Sequence, residues 1–111
     1  MEVSLRERDD YLIWENERRP DGYRRSLVAI VGDAGELTIV GHDRTPGGPI
    51  EVYDWEEIIP AKEILKLLGL LGADPRAHIL DVIEESWMDR YIEVKAIIHE
   101  NGIETFLWIE N

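Results

Sequence analysis

The hydrophobic pattern of this chain changes period at Pro60. Before it, apolar residues come in short runs rich in β-branched side chains, broken by Gly and Pro. After it, they recur every three or four residues. Strand side chains alternate with a period of two and helix side chains with 3.6, so the switch demands strands first and helices second. Tyr11–Trp14, Ser26–Val31 and Leu37–Val40 read as strands. A Pro/Gly loop, Gly41 to Pro49, then leads to a fourth strand from Ile50 to about Trp55. Pro60 opens a helix with Ile64, Leu65, Leu68 and Leu71 on one face, closed by Gly69 and Gly72. Asp74-Pro75 signals a second helix with Ile79, Leu80, Ile83 and Trp87 as its stripe.

Asn101-Gly102 is the strongest hairpin signal in the chain. It predicts strands over Arg90–Glu100 and Ile103–Glu110. In that register Val94 faces Ile109, Ala96 faces Leu107 and Ile98 faces Thr105, and this apolar face is expected to be core. The opposite face pairs Glu93 with Glu110, Lys95 with Trp108, Ile97 with Phe106 and His99 with Glu104. The order is β-β-β-β-α-α-β-β. The expected fold is α+β, an antiparallel sheet with two helices on one face. The 111 residues are enough for one acidic domain spanning 1–111.

Charge and composition work by exclusion. The chain carries 24 acidic and 12 basic residues, a net of −12. That argues against a nucleic-acid backbone or an anionic lipid surface as partner. It fits a basic protein partner, or solubility alone. No Cys removes disulfides, thiolate chemistry and Cys-ligated metals. No apolar stretch is long enough for a membrane span. MEVSLRERDD has no apolar core of a signal peptide, so a cytoplasmic location is expected.

Catalytic templates are not met. Neither G-x-x-x-x-G-K-[ST] nor G-x-G-x-x-G occurs. Ser4, Ser26 and Ser86 lack a nucleophile motif. His42, His78 and His99 are assigned to a loop, a helix and a strand, so no metal set and no cofactor are expected. His42-Asp43 is an adjacent ligand-type pair, and an Asp capping its own loop is the simpler reading. Glu56-Glu57 and Glu84-Glu85 read as solvated acids.

Aromatic residues carry the positive argument. Trp108, Phe106 and Ile97, rimmed by Glu93, Glu104 and Glu110 with Lys95 and His99, have the composition of an interface centre and its rim. Tyr11, Trp14 and Tyr23 with Arg18, Arg19, Arg24 and Arg25 form a second such region. The expected function is a non-enzymatic protein-binding module. One alternative is a homodimer formed through the C-terminal hairpin. Another is a small enzyme or ligand-binding domain using the His42/Asp43 loop and Glu56.

Gly35-Glu36-Leu37-Thr38-Ile39-Val40-Gly41-His42-Asp43, then Tyr53-Asp54-Trp55-Glu56, then Ile59-Pro60-Ala61 opening a Leu-rich helix, form a recognisable series. It resembles a family of small acidic bacterial proteins of unassigned function, over about residues 26–85. The long C-terminal hairpin departs from that pattern. The resemblance implies no catalytic residues. By size and charge such proteins are similar to immunity proteins that mask a bacterial toxin.

Overall fold

The computed structural model describes residues 10–47 and 52–110. The expected strand start at Ile50, the loop residues Gly48 and Pro49, and Ser4 lie outside them. The fold is α+β. Five antiparallel strands lie in the order of the sequence: β1 (Tyr11–Arg18), β2 (Arg24–Val31), β3 (Leu37–Arg44), β4 (Val52–Ile59) and β5 (Phe106–Glu110). Three helices fill the connection between β4 and β5: α1 (Ala61–Leu70), α2 (Ile79–Ser86) and α3 (Tyr91–Glu100). They cover one face of the sheet. The core lies between, with Leu12, Trp14, Leu27, Leu37, Ile39 and Ile59 from the strands. Leu67, Leu68, Leu80, Ile83, Val94 and Ile98 meet them from the helices.

The last third corrects the sequence expectation. Residues 91–100 are a helix, so the order is β-β-β-β-α-α-α-β and the C-terminal hairpin does not form. Tyr91, Val94 and Ile98 recur at helical spacing, and all three are buried. Asn101-Gly102 ends the helix instead of turning a hairpin. Gly102 has φ +66°, the left-handed residue that closes a helix. The Ile103 N–H then donates to the Ile98 carbonyl at 3.1 Å, and both side chains are buried. This six-to-one bond with its apolar contact is the Schellman closure. The strand that follows pairs with β4, placing Trp55 against Ile109 and Glu57 against Leu107. Val94 and Ile98 are buried as expected, although through helical packing. Leu107 is 59% exposed, and Ile109 and Ala96 are exposed too.

Smaller corrections concern boundaries. β3 runs through Arg44, so Gly41, His42 and Asp43 are strand residues rather than loop. β4 extends to Ile59. The cap of α2 is His78, whose Nδ1 accepts from the Leu80 N–H at 3.2 Å. Asp74, the expected cap, closes its own turn by accepting from the Arg76 N–H at 2.8 Å. Leu65 of the expected α1 face is exposed.

Gly41 shows why glycine stands mid-strand. It faces Trp55 across β3 and β4, and the indole occupies the space beside it. A Cβ at Gly41 would sit 2.1 Å from the ring. Gly41→Ala is therefore expected to displace the indole and cost about 1–3 kcal/mol by overpacking. Urea unfolding together with near-ultraviolet circular dichroism reads this. Unchanged stability and an unchanged aromatic spectrum would show that the ring does not depend on the glycine.

Candidate functional site

Strand alternation gives the sheet a second face, and no helix among the described residues lies on it. Register assigns its positions in rows across the strands. One row runs Tyr11, Ile30, Thr38, Ile58, Phe106. The next runs Ile13, Val28, Val40, Glu56, Trp108. Eight of these ten side chains are apolar or aromatic. Trp108 is 69% and Phe106 52% exposed, and Ile13 is exposed as well. A third row is polar: Asn16, Ser26, His42, Asp54 and the register position of Glu110. The fourth places Arg18, Arg24 and Arg44 side by side. None of these arginines has an ion-pair partner among the described residues.

The arginine row has a physical cost. Like charges directly opposite on neighbouring strands destabilise a sheet. A fold keeps such a row where something else offsets it.

The face gathers some of the expected site residues and separates the others. Phe106 and Trp108 share it because they are two apart on one strand, and Glu110 holds the next position. Ile97 does not join them, since it sits on α3 packed against the core. Glu93 is also on α3, paired with Arg90. Glu104 precedes β5 and pairs with Lys62 at 2.6 Å. The expected patch came from a hairpin, and a helix points those residues elsewhere.

His42 and Asp43 fall on opposite faces, as adjacent strand residues must. His42 Nδ1 lies 2.6 Å from Asp54 Oδ1 on the outer face. Asp43 turns inward, 3.8 Å from Arg25 Nε. The His42/Asp43 pair therefore cannot act as one site. Ser26 is the register neighbour of His42 on the side away from Asp54, which puts Ser, His and Asp in one row. No hydrogen bond joins Ser26 to His42 among the described residues, so the nucleophile-to-base link of a hydrolytic triad is not made.

Sequence reasoning paired Arg18 and Arg24 with a turn but missed that β3 adds Arg44 to the row. The signal was the length of β3, cut short at Gly41. Among the described residues no three His, Asp or Glu side chains gather to hold a metal ion, and no helix is long and apolar enough to cross a membrane. Comparison with protein-family models, with curated proteins and with solved structures finds no match to this chain in any of the three.

Proposed function

We propose that this chain is a non-enzymatic protein-binding module, and that the uncovered face of the sheet is its binding surface. The observation that carries this reading is the pair of apolar rows ending at Trp108 and Phe106 on a face that no helix among the described residues covers. Exposed apolar patches of this kind are where protein partners dock. Spacings of about 4.8 Å between strands and 6.7 Å between alternate residues give three rows of five strands and a fourth of four a plan area of about 600 Å2. A standard interface takes about 800 Å2 from each partner once surface relief is counted.

Charge selects the partner at two ranges. The net charge of −12 attracts an overall basic protein and speeds its approach. On contact, the arginine row asks that partner for carboxylates beside an apolar centre. Masking of a basic toxin is the form of this activity that size and charge favour.

The test is capture of the partner from native extract, followed by titration of the purified pair. Trp108→Ala is expected to keep the melting temperature within the range of a surface change, about ±0.5 kcal/mol. It should weaken the complex at least tenfold, as loss of an aromatic anchor does. Arg24→Glu should weaken it as well. Equal binding by wild type and both variants would remove the face from the mechanism. A concentration-dependent dimer in light scattering, dissolved by Trp108→Ala, would make a second copy the occupant instead.

A further inference from the structure

On the inner face, beneath α3, the sheet stops being core. The row Leu12, Ala29, Ile39 is apolar and then reaches Glu57. The next row places Leu27, Gly41 and Trp55 together. The one after it carries Arg25, Asp43 and Tyr53. A cavity of about 390 Å3 lies between these positions and α3. Trp55 and Glu57 line it from the sheet, and Tyr91, Lys95 and His99 from the helix. Positions 91, 95 and 99 are successive turns on one line of α3.

Glu57 is the anomaly. It is 2% exposed and is the buried acid of the core side. Its Oε2 lies 3.4 Å from His99 Nε2, and its Oε1 has no hydrogen-bond partner. Arg25 Nε, Asp43 Oδ1 and the Tyr91 hydroxyl are also buried without a hydrogen bond, and all three residues line the same cavity. Arg25 Nε stands 3.8 Å from Asp43 and 3.9 Å from Glu15, too far for hydrogen bonds. Burial first, and then the charge of Glu57, push the Tyr91 hydroxyl well above its usual range, with Arg25 opposing. Buried polar atoms without hydrogen bonds are costly to a fold that gains nothing from them, and the Arg25–Asp43 ion pair at 3.8 Å offsets only part of that cost. A ligand that donates to the carboxylates relieves more of it.

We propose that this cavity binds a small organic cation, an ammonium or amidinium on an apolar body, whose charge is met by the carboxylates of Glu57 and Asp43 once these side chains turn toward it. Carboxylate oxygens accept hydrogen bonds, which suits N–H donors. Trp55 and Tyr91, with ring centres 5.8 Å apart and planes tilted by 32°, supply aromatic walls that favour a cation. Ile109 and Leu107 offer an apolar edge to its body. The net negative field of the protein concentrates cations at its surface. The volume falls within the range of small-molecule sites, about 300–1,000 Å3. Arg25 is flanked by two acids, and Lys95 stands on an exposed position of α3, its Nζ 6.0 Å from the Tyr91 ring centre. This site is on the face opposite the protein-binding surface, so either can fail without the other.

Three probes with one ring and different charge test it: benzamidine, benzamide and benzoate, titrated into the full chain by NMR. Benzamidine is expected to bind with a dissociation constant of about 1 mM or tighter, with shifts at Trp55, Glu57 and Tyr91. Benzamide and benzoate should bind at least tenfold more weakly. Glu57→Gln should weaken benzamidine at least tenfold and melt at the same or a higher temperature, since it removes a buried charge with an incomplete set of partners. Ile109→Trp fills the cavity edge from an exposed position and should abolish binding with the fold intact. It decides the matter should Glu57→Gln not fold. No saturable binding up to about 10 mM would overturn the proposal. So would benzoate binding as tightly as benzamidine, or benzamidine binding unaltered by either variant.

Discussion

Trp14→Ala is expected to cost about 3–5 kcal/mol, read as a lowered midpoint in urea unfolding. The indole is fully buried in the core. Its N–H donates to the Trp87 carbonyl at 2.8 Å, tying β1 to the C-terminal end of α2. Its ring meets Tyr91 edge to face at 5.3 Å, tying β1 to α3. Such a ring pair adds about 0.5–1.5 kcal/mol beyond area. The register of β1 shifts between Ile13 and Glu15, and this bulge lets Trp14 face the core while Glu15 on the same strand reaches the Tyr91 N–H at 3.3 Å. Trp14→Phe should lose less, because it keeps most of the volume and forfeits the hydrogen bond. A loss below about 1 kcal/mol for the alanine variant would mean that β1 is not anchored through this residue.

The four strands before Pro60 were legible as elements, though not in length, because turn residues separate them. Pro20-Asp21-Gly22 and Asp33-Ala34-Gly35 are turns by composition, and the β-branched runs between them fit no helix. The α1 and α2 stripes were legible for the converse reason. Residues 91–100 were not, because two periods fit them. Val94, Ala96 and Ile98 alternate as a strand would, while Tyr91, Val94 and Ile98 recur as a helix would. Asn-Gly serves a two-residue hairpin and a helix end equally well, since both need a residue with positive φ. The deciding contact, Ile103 folding back onto Ile98, is local, but an apolar residue after Asn-Gly fits the first position of a returning strand just as well. The inner cavity was hidden by one boundary error. With β4 stopped at Trp55, Glu56-Glu57 reads as two solvated acids. Carried through Ile59, alternation puts Trp55, Glu57 and Ile59 on one face and thus an acid among apolar neighbours.

A pair of truncations separates the helix from the hairpin by energy alone. Ile98 is fully buried in α3 and forms the apolar half of the closure with Ile103. Ile98→Ala is expected to cost about 2–5 kcal/mol, the range for deleting a buried aliphatic side chain. Leu107 lies on β5 with 59% of its surface exposed. Leu107→Ala is expected to cost under about 1 kcal/mol, since it removes contacts already shared with water. A hairpin would put Ile98 and Leu107 on one buried face and give the two losses similar size. The helix gives them opposite character, so the difference between the two urea midpoints is the measurement. Equal losses near 3 kcal/mol would return residues 91–100 to a strand. That result would also remove α3, and with it the wall of Tyr91, Lys95 and His99 that closes the cavity over the sheet.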